Sequence, residues 1–212
     1  MIESYNELPV GKYLEIQEII KEDMSDIDKQ VAIIAVLTDL TENEVLNIPI
    51  TEYKGYAEKS MFLDRHMDVP KQVASVYEIG DWKLIPTTDI RKMTTAQYID
   101  FQTFIKEKEK YLKNICACFL LPVGKKYGEG YKISKVVEDI GNSFSIVDAH
   151  SIFFFFTLLF QSLTVATLRC LEKKMKRGMK KMTKAEREMT EKAIMAVRET
   201  MSLLKNGAGL FG

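Results

Sequence analysis

His66 and His150 are the only histidines in the 212-residue chain, so a histidine-rich metal centre is excluded from the start. Asp64, His66 and Asp68 fall within five residues (DRHMD). That spacing can bring two carboxylates and an imidazole to one divalent ion, but a solvated polar patch is the simpler reading. Asp148 and His150 stand two apart at the start of a helical pattern, where capping already explains the aspartate. Neither histidine has a serine or cysteine at a spacing that makes a nucleophilic dyad. Cys116 and Cys118 are two apart on what reads as a helix, so their thiols diverge, and Cys170 is remote. All three suit small buried hydrophobes in a reducing cytosol. The loop GKKYGEGY (124–131) has glycines and lysines, but it lacks the offsets and the directly following helix of a phosphate-binding loop. The sequence therefore predicts a non-enzymatic protein with no cofactor, no metal and no catalytic site.

Protein-binding chemistry is better represented. Phe153, Phe154, Phe155 and Phe156 are consecutive, so on a helix they point to all sides at once. Either that helix is central to the fold or a partner chain covers one of its faces. From Arg169 to Lys192 there are ten basic and four acidic residues. This stretch reads as a solvated helical face, or as a surface for phosphate or an acidic protein. Met175, Met179 and Met182 are interleaved with the lysines, and flexible thioethers can adapt to several apolar partners. These four phenylalanines and three methionines are the candidate partner-binding residues.

The elements that must carry them are mainly helical. Ser25, Thr41 with Glu44, and Thr94 or Thr95 are N-cap signals, as are Thr183 with Glu186. Ser134, and Ser145 with Asp148, are read the same way. Pro49 separates a very short third helix from a fourth that begins at Thr51 or Glu52. Residues 75–86, SVYEIGDWKLIP, place β-favouring residues on both sides of Gly80-Asp81 and predict a hairpin. A long helix follows, with Ala96, Ile99, Phe104, Ile105, Leu112, Ile115 and Phe119 at roughly helical spacing. It runs through Leu120 and Leu121 to Pro122, with a break at KEKEK. The most apolar helix covers about 146–175, and the last runs to about Lys205, where Asn206-Gly207 reads as a stop. The expected fold class is mainly α, a compact bundle of short and medium helices with one small β-hairpin and a charged helical extension. Residues 1–171 form the domain, and 172–212 the methionine-rich extension.

Apolar residues make up 46% of the chain and charged residues 28%, which suits a globular protein. Thirty basic residues balance thirty acidic ones, which argues against a protein dedicated to coating nucleic acid. Ser151–Leu168 is uncharged over 18 residues and precedes a basic run, as in an anchored membrane helix. Its six hydroxyl and amide side chains, with Asp148 and His150 just before it, favour a buried core helix instead. The N-terminus has no signal-peptide pattern.

Over about residues 25–168, the words LTD, TTAQYIDF and ACFLLP and their apolar spacing resemble tail assembly chaperones of tailed bacteriophages from Bacteroides-type hosts. The resemblance implies a non-enzymatic protein of the infected host's cytoplasm that binds the tape measure protein and recruits tail tube subunits. A virion structural or capsid cargo protein near the portal is the first alternative. A small membrane-anchored protein is the second, and a nucleic-acid binder the third. A homo-oligomer is compatible with any of these.

Overall fold

A computed structural model describes residues 1–70, 72–178 and 183–208, with only the backbone at many positions between 163 and 208. Helix α1 (Val10–Lys21) starts directly after Pro9. Helix α2 (Asp26–Thr38) is capped by Ser25, whose Oγ accepts the Asp28 N–H at 3.2 Å, and Asp26 and Asp28 face the positive end of its dipole. The chain leaves α2 through Asp39 in a left-handed conformation (φ 60°). Helix α3 (Glu42–Leu46) carries the expected Thr41–Glu44 capping box. Helix α4 (Ile50–Ser60) follows Pro49 and tightens into a 3-10 turn at Met61–Asp64. Val31, Ile34, Ala35 and Val45 form a small core of their own under Tyr53 and Tyr56.

Strands β1 (Tyr77–Ile79) and β2 (Trp82–Pro86) form the expected hairpin, with Gly80 supplying the positive φ (55°) that the turn requires. Tyr77, Ile79, Leu84 and Pro86 point into the core, while Glu78 and Lys83 pair across the outer face at 3.1 Å. Helix α5 (Thr95–Phe104), with a Thr94–Gln97 capping box, leads through a 3-10 turn (Ile105–Glu107) into α6 (Lys108–Phe119). The break expected in KEKEK is thus present. Residues 120–122, read from sequence as helix, are instead β3 (Leu120–Pro122), antiparallel to β2 in the order β1-β2-β3. Pro122 forces Leu121 out of helical geometry, and pairing with β2 satisfies the extended backbone.

Helix α7 (Ile133–Ser143) begins one residue before Ser134 and has no side-chain cap, so Ser134 does not serve as one. Ser145 does cap α8 (Ile146–Gly178): its Oγ accepts the Val147 N–H at 3.1 Å. The chain entering α8 is stitched to the N-terminal segment, 134 and 138 positions earlier in the sequence. Val10 N–H donates to Phe144 O at 2.9 Å, and Ile146 N–H donates to Leu8 O at 2.8 Å. Residue 172 falls inside α8, which runs on unbroken from the core. Helix α9 (Lys184–Ala208) follows the Thr183–Glu186 box, continues past Asn206-Gly207, and packs back on α8 and the Ile105–Glu107 turn. Among the described residues, no helix is long and apolar enough to cross a membrane.

The α1–α7 crossing is set by two glycines. A Cβ on Gly11 would stand 2.7 Å from the carbonyl oxygen of Gly141, a contact that only backbone movement relieves. Gly55, inside α4, has nothing within 4 Å of the same position. Gly11→Ala should therefore destabilise by about 1–3 kcal/mol through overpacking. Gly55→Ala should stabilise by about 0.5–1 kcal/mol by stiffening the unfolded chain. Urea unfolding of both variants checks the opposite signs.

Candidate functional site

The phenylalanine run is absorbed mainly by the core. Phe153 and Phe156 are buried, and Phe156 stacks on Phe119 with ring centroids 3.7 Å apart. Phe160 extends the cluster onto Phe101 at 4.7 Å. Of the two readings of this run, the central helix is the one observed: α6 and α1 pack against α8. Phe156 is sealed in the core and offers no surface to a partner, which corrects its candidacy, and Phe153 is buried apart from the wall it gives to a cavity. Phe154 and Phe155 are half-buried and retain some access. Met179 and Met182 lie outside the described residues, and Met175 is described only by the backbone of α8.

Tertiary packing gathers polar chemistry at two places that spacing does not show. The first is His150, whose ring meets Tyr13 edge-on at 5.9 Å. It borders two cavities of about 180 Å³ each. One opens between α1, α6 and α8, with Tyr13, Leu14, Leu112 and Phe153 as apolar lining and Glu18, Lys21, Lys108 and Glu109 as charged lining. Lys21 lies 3.0 Å from Glu18 and 3.9 Å from Glu109, so much of this charge is internally paired. The other cavity is lined by His66, Asp68, Pro70 and Phe154, so the two histidines, 84 positions apart in sequence, share one wall of the fold.

Burial pushes the His150 imidazole down to about 4, so it is neutral near pH 7. Burial also lowers the Lys108 ammonium from its ordinary range, with Glu109 opposing the shift. Among the described residues, no serine, threonine or cysteine lines either cavity. Such a cleft can hold a compact apolar group with a polar end. Among the described residues, no group of three histidine, cysteine, aspartate or glutamate side chains is arranged to hold a metal ion.

The second place lies beneath the glycine-rich loop. Tyr127, read as part of an open loop, is buried, and its hydroxyl donates to Asp100 Oδ2 at 2.8 Å. Cys118 Sγ lies 3.6 Å from the same hydroxyl. Gln97 reaches across to donate its Nε2–H to the Cys118 carbonyl. Burial pushes the Cys118 thiol up to about 12, and Cys116 is also raised by burial, so both are held protonated and unreactive. The expectation that these two are buried hydrophobes holds; the side chain of Cys170 is not described. Sequence reading missed Gln97 and Tyr127 because a glutamine in a capping box and a tyrosine between glycines each have an adequate local explanation.

With this geometry established, comparison with known proteins adds no neighbour. No family model, no curated protein and no solved structure matches the chain. The chemistry must be read from the chain itself.

Two outcomes test these assignments. The unfolded chain binds a proton on His150 at an ordinary imidazole pKa near 6.5, whereas the folded chain resists it down to about 4. The group therefore costs stability as pH falls through that window, by about 3 kcal/mol in all. The stability gap between the wild type and His150→Leu, followed by urea unfolding from pH 7 to pH 4, should shift by that amount; a gap independent of pH contradicts it. Separately, Tyr127→Phe should destabilise by about 1–3 kcal/mol, because it strips the Asp100 carboxylate of a buried donor. An unchanged urea midpoint would show that the loop is not pinned there.

Proposed function

We propose that the chain is a non-enzymatic assembly protein, of the tail assembly chaperone kind that binds a tape measure protein and tail tube subunits. Two things support this reading. One is the resemblance over about residues 25–168. The other, which carries it, is the outer surface of α9. That helix buries Ile194 against its neighbours and leaves Met189 and Met195 at 74% and 69% exposure, on faces turned away from Ile194. Long thioethers held in solvent on a helix, with Glu188, Glu191 and Lys192 beside them, form an adaptable apolar surface with a charged rim. A client that is a long amphipathic helix can lay its apolar face against such a surface. Ile27 and Ile50, at 71% and 67% exposure, add a second apolar patch. They sit one turn before Gln30 and Tyr53, whose side chains hydrogen-bond at 2.9 Å, so both lie at the same level on α2 and α4.

Co-expression with a tape measure protein of a tailed bacteriophage, the client that the resemblance implies, tests the reading. The client should appear in the soluble fraction with the wild type. It should move to the pellet with a Met189→Glu/Met195→Glu variant that retains its own helical circular dichroism. Equal client solubility with and without the wild-type chain would overturn the proposal.

A further inference from the structure

The chain's zero net charge conceals a strong segregation. Residues 1–70 contain fifteen acidic and six basic side chains, a net of −9. Residues 169–192 carry ten basic and four acidic, a net of +6, even with the first acids of α9 included. In the fold the acidic half is shaped. Helices α1 and α2 enclose an open groove of about 580 Å³, with Ile19, Met24, Val36 and Leu40 in its apolar lining. Its rim carries Glu15, Glu18, Glu22, Asp39 and Glu42 against one cation, Lys12, which is already paired with Asp39 at 2.8 Å. The lining residues of α1 run from Lys12 to Glu22, about 15 Å of helix at 1.5 Å per residue.

The complementary surface is on the same chain but out of its own reach. Among the described side chains of α8, Phe160 is the last in the core, and the helix continues unbroken to Gly178 with α9 packed against it. Its basic stretch, Arg169–Gly178, therefore begins about 14 Å and ends about 27 Å beyond that last core ring. Arg169 and Lys173 are exposed there. An unbroken helix cannot turn back onto α1 and α2, so the groove of one copy and the basic arm of another are the surfaces that can meet. The ten arm residues span about 15 Å, the length of the groove, and their sequence carries five cations (Arg169, Lys173, Lys174, Lys176 and Arg177) and one carboxylate, Glu172, against a groove rim of five carboxylates.

We propose that this protein self-associates head to tail, the basic α8 arm of one copy lying in the acidic, apolar-lined α1–α2 groove of the next. The contact is heterologous, so it builds rings or open chains rather than a two-fold dimer. Opposite rims accelerate encounter and fix register, while the apolar lining provides contact area. This association goes beyond the client-binding reading and does not require it, since its surfaces are the α1–α2 groove and the α8 arm rather than the exposed methionines of α9.

Sedimentation velocity of the full chain tests the proposal. At about 50 mM salt the wild type should associate with rising protein concentration, and at about 500 mM it should return to monomer as screening shortens the reach of the charges. Glu15→Lys/Glu22→Lys in the groove should weaken association at least about tenfold, as should Lys173→Glu/Lys174→Glu on the arm. Glu15, Glu22 and Lys173 are exposed, and circular dichroism confirms that each variant folds. Joining the two reversals in one chain restores opposite charges and should restore association. A monomeric wild type at low salt would overturn the proposal. So would loss on reversal of one surface only, or a quadruple variant that stays apart. Association that appears only when duplex DNA is added would reassign the arm to nucleic acid.

Discussion

Surrounding one helix is the constraint on which the rest of this structure depends. From Ile146 to Phe160, α8 carries large apolar side chains on nearly every face, and no single neighbouring layer can bury them all. The solution is enclosure. Helix α6 supplies Phe119 to stack on Phe156, α5 supplies Phe101 to stack on Phe160, and α1 brings Tyr13 against His150. Each such ring, fully buried, contributes roughly 1.5–3 kcal/mol. The pairing of segments 8–10 and 144–146 holds the entrance of α8 in register with α1.

Enclosure also decides how polar groups are accommodated near the core. Ser151 and Thr157 turn their hydroxyls back onto carbonyls four residues earlier on α8, at 2.9 and 2.8 Å, so neither enters the core unsatisfied. Gln97 both completes a helix cap and bonds the Cys118 carbonyl. Tyr127 bonds Asp100 and so ties the 124–131 loop to α5. The ionisable groups closest to the core are thereby held in their neutral forms, the thiols protonated and the imidazole deprotonated.

Because the phenylalanines are spent inside, apolar surface available to other molecules lies elsewhere: on the outer faces of α9, at the adjacent ends of α2 and α4, and in the lining of the α1–α2 groove. Each is bordered by charge, and the sign of that charge changes from acidic near the N-terminus to basic along the α8 arm. Apolar contact area with a charged rim of defined sign is the composition of surfaces at which proteins dock.

The sequence by itself determined what acts over three or four residues. Ser25, Thr41 with Glu44, Thr94 or Thr95, and Thr183 with Glu186 announce helix starts because a cap is a local hydrogen bond. Gly80 announces its turn because a positive φ suits glycine. The mainly helical class and the small hairpin follow from those signals and from periodicity. Only the tertiary structure decided which apolar residues face inward. Ile99 fits the helical stripe yet is exposed, whereas polar Gln97 is buried, because the partner of α5 is the Cys118 carbonyl. Leu120 and Leu121 satisfy a helical pattern, but β2 offers their backbone a ladder. His66 and His150 share a cavity only because α8 passes beside the segment after α4. Local chemistry is written in neighbouring residues, while burial depends on what the chain brings back from far away.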